Sequence, residues 1–416
     1  MKQFRITITV CVFLLVGLFL TPVFAQSGNS IFTVSGIVKD QKTNKTIEYV
    51  NVSVKGSNVG TITNADGTFL LKVQRSNQPR ILEISSLGYA TAQFTMEETD
   101  ASNKVFFLQP NSVILKEVEV VKVDPKAVVE QAIKKIPANY NSHPSLNIGF
   151  YRETVQKGKR FIHISEAVAK VLKSPYADNS VEKDRVKVFK GRKLLSPKLD
   201  DTLAVKLVGG PTQGVYLDAV KNPDVFANDL QYYSFRLNDY VTIDGRMHYV
   251  ISFVPAVKID DPLCSGLLYI DKESYTLSRA ELNLDISDKD KVTKRILQKK
   301  PAGLRFTPTK VSYLINYKKT GSFTSLSYIR SEIKFKCDWK RKLFATNYTV
   351  ISEFAVTDRD DSPTETIGGR DSFRSDDILS DKVESFYDEK FWGDYNIIEP
   401  TESLEKAVLK LKKVYK

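Results

Sequence analysis

The sequence predicts a mainly β protein: an N-terminal seven-stranded β-sandwich, then a larger curved antiparallel β-sheet with a few helices. Short runs of alternating apolar and polar residues, broken by turn residues, fill residues 32–108. Longer alternating runs follow to about residue 361. Helical periodicity is confined to a stretch after Asp124 and to the C-terminal segment.

Residues 1–25 read as a secretory signal peptide. Lys2 and Arg5 form a positive start, Ile6 to Phe19 is mostly apolar, and Val23-Phe24-Ala25 sets cleavage between Ala25 and Gln26. The apolar run falls short of the roughly 20 residues that span a bilayer, and Cys11 within it lacks the context of a lipidated cysteine. The chain is therefore expected to be exported, to the periplasm or the outer-membrane surface. Cleavage leaves 391 of 416 residues, enough for two or three domains with their own cores. That is too short for a plug with a barrel of about 22 strands. The last segment is a basic helix-like stretch and not a strand with a terminal aromatic, which also argues against a barrel.

Losing Lys2 and Arg5 lowers the formal net charge from +12 to +10. Export removes nucleic acid as a partner and leaves an envelope protein, an anionic lipid or a polyanionic glycan as partner classes. The simpler reading of the excess charge is solubility. Cys264 and Cys337 remain after cleavage; export permits a disulfide between them, but sequence shows no proximity.

In the first domain, residues 31–110, Phe32, Val34, Gly36 and Val38 alternate with Thr33, Ser35, Ile37 and Lys39, Val50, Val52 and Val54 with Asn51, Ser53 and Lys55, and Phe69, Leu71 and Val73 repeat the pattern. Further runs at 60–63, 81–85, 90–96 and 105–108 make about seven strands, which predicts an antiparallel sandwich. Asn64-Ala65-Asp66-Gly67 reads as a hairpin turn, with Gly67 accepting positive φ. A calcium loop would need a fuller run of oxygen ligands.

Gly36-x-Val38-x-Asp40, Val50-Asn51-Val52-x-Val54-x-Gly56, Gly60-Thr61-x-Thr63-Asn64-x-Asp66-Gly67-x-Phe69 and Ser86-Leu87-Gly88-Tyr89 together resemble the carboxypeptidase-like regulatory domain. The resemblance implies a transthyretin-like sandwich without catalytic residues, common in Gram-negative envelope proteins and ahead of TonB-dependent receptors. Leu115-Lys116-Glu117-Val118-Glu119-Val120, within a linker at 111–123, resembles the lead into a receptor plug. Here Asp124-Pro125 opens a helix at that point, which argues against transport by this chain.

Asp124 is expected to cap that helix, with Pro125 in its first turn, Val128, Ala132, Ile133 and Ile136 on one face, and Pro137 as its stop. Strands are expected at 247–253, 268–270, 276–284, 311–317, 325–337 and 344–354, with a turn at 271–274. Residues 124–361 then form a curved antiparallel sheet whose concave face the helix can cover. Gly266-Leu267-Leu268-Tyr269-Ile270-Asp271 with Ser274-Tyr275 resembles hairpins of lipoprotein-carrier-like half-barrels. Asn147-Ile148-Gly149-Phe150-Tyr151-Arg152-Glu153 and Ser165-Glu166-Ala167 resemble a family of envelope proteins of unassigned function that carry the same N-terminal sandwich.

No catalytic, cofactor or metal residue is expected. His163-Ile164-Ser165-Glu166 with His248 has the composition of a three-ligand catalytic zinc site. On a strand, however, His163 and Glu166 point to opposite faces. No nucleophile elbow or phosphate-cradling loop is present. Asp200-Asp201, Asp260-Asp261, Asp360-Asp361 and the Asp285–Asp290 run read as solvated loops. In the C-terminal segment, 362–416, Asp376–Phe391 looks partly helical. A final helix begins at Pro400-Thr401, docked through Leu404, Ala407, Val408 and Leu411 with its lysines in solvent. The expectation is a non-enzymatic envelope protein that binds a partner. Alternatives are a carrier of a lipid or other apolar ligand, an accessory to a TonB-dependent uptake system and, last, a zinc carboxypeptidase.

Overall fold

The computed structural model describes residues 31–75, 80–97, 99–111, 123–198, 201–223, 229–340 and 343–412. The cleavage site at Ala25 and Gln26 and the 115–120 stretch lie outside the described residues. The first domain is a seven-stranded sandwich. One sheet runs in the order β4 (Thr68–Gln74), β1 (Ile31–Asp40), β7 (Ala101–Leu108). The other runs β3 (Gly60–Ile62), β2 (Asn51–Val54), β5 (Arg80–Ser85), β6 (Ala92–Met96). The alternating residues singled out above, among them Phe32, Val34, Val38, Val52, Phe69 and Leu71, fill the core between the sheets. One pairing departs from the antiparallel expectation: β7 lies parallel to β1, because the chain crosses back from the second sheet before entering it. Gly36 is required there, since a Cβ would stand 2.4 Å from the Lys104 carbonyl oxygen of β7.

The second region is an open sheet of eleven strands. Its order is β12 (Tyr233–Ile243), β13 (Arg246–Pro255), β14 (Cys264–Asp271), β15 (Leu277–Leu284), β17 (Leu304–Thr320), β18 (Phe323–Trp339), β19 (Thr346–Asp360), β8 (Ser145–Lys157), β9 (Arg160–Lys173), β10 (Arg185–Leu195), β20 (Glu384–Ser385). It curves but does not close, and β12 and β20 are its edges. The short pair β11 (Lys206–Leu207) and β16 (Leu297–Lys299) stands apart.

The sheet's inner face carries the main core, with Tyr151, Ala167, Ile251, Leu268, Ile270, Ala280, Ile329 and Phe354. Helix α1 (Pro125–Lys134) packs on it through Val128, Val129 and Ala132. Asp124 caps α1 as expected, accepting from the Lys126 N–H at 3.0 Å. Pro137 is not the stop: the helix ends at Lys134, and Pro137 sits in the first turn of a separate helical turn, Ile136–Asn139, where its missing N–H costs nothing. Ile133 faces the edge of the interface and is 36 % exposed. Asp285–Asp290 is not simply a solvated loop, because Asp288 caps an unexpected helix, α2 (Lys289–Ile296), whose Val292 and Ile296 are buried. Asp376–Phe391 contains only one helical turn, Leu379–Lys382, before β20.

The middle strands are buried on both faces, as a sheet covered on two sides must be. Phe150, Val168, Tyr328 and Ala355 alternate with inner-face residues and point outward, against Ile62 of the sandwich and Trp392 and Ile398 of the C-terminal segment. Helix α3 (Glu402–Lys412) follows and docks through Leu404 and Leu411 on Ile164 and Leu194. Phe354 is pinned on the inner face between two glycines: a Cβ at Gly149 would lie 2.3 Å from its ring and one at Gly214 2.7 Å. Gly149→Ala is therefore expected to lower stability by about 1–3 kcal/mol, read as a lower urea midpoint at unchanged m-value.

Candidate functional site

A cleft of about 330 Å³ opens at the end of β8, β9 and β19; a larger one of about 410 Å³, lined by Pro255, Lys258, Asp261, Asp285, Asp288 and Lys291, lies elsewhere. In the 330 Å³ cleft, Glu153, Ile162, His163 and Val350 come from the strands, which a bulge near Ile162 re-aims. Leu203, Val205 and Leu207 form one wall and Leu379 part of the other. Charges around it are paired. Asp201 accepts from Arg160 at 2.7 and 2.5 Å and from the Ser196 hydroxyl at 2.6 Å. Lys206 pairs with Asp381, and Lys382 with Asp377. Asp201 is thus buried and is no solvated loop residue, whereas Asp260, Asp261, Asp360 and Asp361 are exposed. Asp200 lies outside the described residues.

The titratable groups inside the cleft are tuned by burial. The His163 imidazole is pushed down to about 4 by burial and by the Lys193 charge, so it is neutral at pH 7; its Nε2 lies 2.6 Å from the Ser165 hydroxyl. Burial raises the Glu153 carboxyl, which accepts from the Tyr151 hydroxyl at 3.0 Å. The cleft thus offers apolar walls and hydrogen-bonding groups against a balanced set of charges.

A second, apolar groove of about 70 Å³ lies beneath α1, lined by Val129, Ala132, Ile133, Leu268 and Ile270. Beside it the inner core holds a charged network. Lys173 pairs with Asp218, which also accepts from the hydroxyls of Tyr176 and Tyr317, each at 2.8 Å. Lys221 donates to Asp184 at 2.6 Å, and all four charged side chains are buried.

The residues of the zinc composition are not brought together. Glu166 points to the outer face, where it bridges Arg152 (2.7 Å) and Arg192 (2.8 Å). His248 is buried on β13, with Nδ1 2.8 Å from the Arg246 carbonyl oxygen and Nε2 2.8 Å from the Ser278 hydroxyl. It stands seven strand steps from β9, roughly 30 Å along the sheet. Cys264 and Cys337 are both free and buried, their thiols raised to about 11 by burial.

The Asn64–Gly67 turn forms as expected. Asn64 Oδ1 accepts from the Asp66 and Thr68 N–H groups at 2.9 and 3.0 Å, and Gly67 has φ +77°. The same turn also holds the C-terminal segment. The Asn64 amide donates to the Glu399 and Pro400 carbonyls, and Asp66 accepts from the Glu402 N–H at the start of α3 (2.7 Å). Residues 34–120 match the family described as the CarboxypepD_reg-like domain. The N-terminal sandwich is a domain of that type. A stretch of 122 residues is 34 % identical to the TonB-dependent receptor SusC of Bacteroides thetaiotaomicron, covering 29 % of this chain and 11 % of the receptor. The chain thus spans about a tenth of the length of that relative. Among solved structures, a putative outer membrane lipoprotein-sorting protein domain from Vibrio parahaemolyticus is 11 % identical (60 % of this chain, 97 % of that one, TM-score 0.25). A LolA superfamily protein from Nitrosomonas europaea is likewise 11 % identical (61 % and 98 %, TM-score 0.22). Likeness that distant carries no functional argument. Among the described residues no helix is long and apolar enough to cross a membrane. The CarboxypepD_reg-like domain is fastened further by hydrogen bonds, to the large sheet from Asn58 to the Arg359 carbonyl (2.9 Å) and to the C-terminal segment between Lys72 and Asn396 (2.7 and 3.1 Å).

Proposed function

We propose that this is an exported, non-enzymatic envelope protein that binds a small, uncharged amphipathic ligand in the cleft between Glu153, His163 and Leu203. The observation that carries the reading is the cleft itself. Its volume reaches the lower end of the range for small-molecule sites, its rim charges are paired, and its histidine is neutral. The non-enzymatic part is supported by the separation of His163, Glu166 and His248. The signal-like first 25 residues and the CarboxypepD_reg-like domain support the envelope setting, and recovery of the protein in the cytoplasmic fraction would refute it.

The apolar groove under α1 favours a second reading, a carrier of a lipid or other apolar ligand. Its 70 Å³ as it stands is well below what a bound small molecule fills. The neutral fluorophore N-phenyl-1-naphthylamine separates the two. Enhanced emission with the full chain is expected, weakened about 10-fold or more in affinity by Leu203→Trp, which fills the cleft, and unchanged by Ile133→Trp. The reverse pattern assigns binding to the groove, and no enhancement with the full chain overturns the cleft reading. The SusC match supports a third role, partnership with a TonB-dependent receptor, which a membrane pull-down recovering no receptor would count against.

A further inference from the structure

The strand that sequence periodicity starts at Phe344 begins only at Thr346, and this displacement exposes a surface. Leu343, 95 % exposed, and Phe344, 83 % exposed, stand in the turn between β18 and β19. They are the most exposed large apolar side chains among the described residues. Apolar surface of this kind is stable in water only at a cost of about 25 cal/mol per Å² relative to burial. Nothing in the described chain covers these two side chains.

The neighbouring turns are basic. Lys340 lies in the same turn, and its N–H reaches the Gly303 carbonyl at 3.5 Å, which sets the turn carrying Lys300 and Arg305 alongside. On the other side the Gly158 N–H donates to the Asn347 carbonyl at 2.9 Å, which brings in Lys159. Lys336 stands on the last turn-proximal stretch of β18. All five of these cations are exposed, and in the sequence Arg341 and Lys342 lie between Lys340 and Leu343. Asp338 is half-buried, and Asp201 is already taken by Arg160 and Lys157. An uncovered pair of bulky apolar side chains ringed by cations matches one chemistry closely: an anionic bilayer, whose phosphates attract Lys and Arg while the apolar tips enter the boundary between headgroups and chains.

We propose that this end of the sheet docks on an anionic phospholipid surface, with Leu343 and Phe344 inserted and Lys159, Lys300, Arg305, Lys336 and Lys340 over the headgroups. The cleft opens among residues of the same strand ends, Glu153 and His163 being within a few positions of the Lys157–Arg160 turn, so docking brings it close to the bilayer.

The test is co-sedimentation of the mature chain with vesicles of phosphatidylcholine alone and of phosphatidylcholine with phosphatidylglycerol. Binding to the anionic vesicles is expected to exceed that to the neutral ones about 10-fold or more and to fall with added salt. Leu343→Ser with Phe344→Ser is expected to weaken it about 10-fold or more, without a change in melting temperature because neither side chain packs on the fold. Lys336→Gln with Lys340→Gln is expected to weaken only the anionic arm. Lys410→Gln on α3, the other basic surface, is expected to leave binding unchanged. Equal binding to both vesicles, binding to neither, retained binding by the double serine variant, or loss on Lys410→Gln overturns the proposal. Capture by polyglutamate without vesicle binding does so as well, and assigns the surface to an acidic protein.

Discussion

Asp218→Ala is expected to destabilise the protein by about 3–5 kcal/mol, the range for removing one partner of a buried ion pair. The substitution leaves the Lys173 ammonium in the core with no counter-charge, and it leaves the Tyr176 and Tyr317 hydroxyls without their acceptor. It also frees the 213–222 segment, because the Val220 N–H donates to Asp218 at 3.3 Å and to Tyr317 at 3.1 Å. Burial alone would raise the Asp218 carboxyl, but Lys173 and the two hydroxyls outweigh it and hold the carboxyl below its ordinary value. A depressed carboxyl stabilises the fold fully above its unfolded value, near 3.9. That contribution is lost as the pH falls through the lower folded value. Urea titrations of the parent should therefore show stability falling below about pH 4, and Asp218→Asn should flatten that fall while costing stability at pH 7. A loss at pH 7 under about 1 kcal/mol, the size of an exposed pair, would contradict the burial of the network.

The sandwich was legible in the sequence because period-two alternation and turn chemistry agree there: Val52, Phe69 and Leu71 face one core, and Gly67 sits where positive φ is needed. The curved sheet was legible in outline for the same reason. What escaped was whatever depends on a second buried face. Arg152, Glu166 and Arg192 look like solvent-side residues of alternating strands, and only the arrival of residues 386–399 from far along the chain makes them interior. Asp201 is similar: its neighbours in sequence are polar, but Arg160, Lys157 and Ser196 enclose it. The helix after Asp288 did leave a signal, since Asp288, Val292 and Ile296 stand four apart behind a capping aspartate, but the acidic run around it read as a loop. Phe344 reads as a strand residue because alternation continues into the turn: nothing local distinguishes an aromatic that begins a strand from one that caps a hairpin. For the cleft, His163 was in view as a ligand candidate, whereas Glu153, Leu203 and Leu379 come from three separate segments that no spacing relates.

Glu166→Gln should separate the structural role of this glutamate from the metal-binding role its His-x-x-Glu setting suggests. The carboxylate is ionised in the fold: burial pushes it up, but the Arg152 and Arg192 charges more than offset this and hold it below the usual range. Two guanidinium groups therefore depend on one buried anion. Each also reaches the C-terminal segment, Arg152 donating to the Ile398 carbonyl at 2.9 Å and Arg192 to the Asp388 carbonyl at 2.5 Å, with the Arg192 guanidinium stacked over Tyr387 and Trp392. Removing the charge is expected to cost about 3–5 kcal/mol and to loosen residues 386–412 first. Hydrogen exchange should then speed up across that segment and α3 while the core of the CarboxypepD_reg-like domain stays protected. Because the three side chains act as one unit, Glu166→Gln and Arg192→Ala should not add: the double variant is expected to recover about 0.5–3 kcal/mol relative to the sum. A metal ligand would behave differently. Its loss would lower bound zinc in the purified protein and leave no coupling to Arg192, and that pair of results would sink the clamp in favour of the metal.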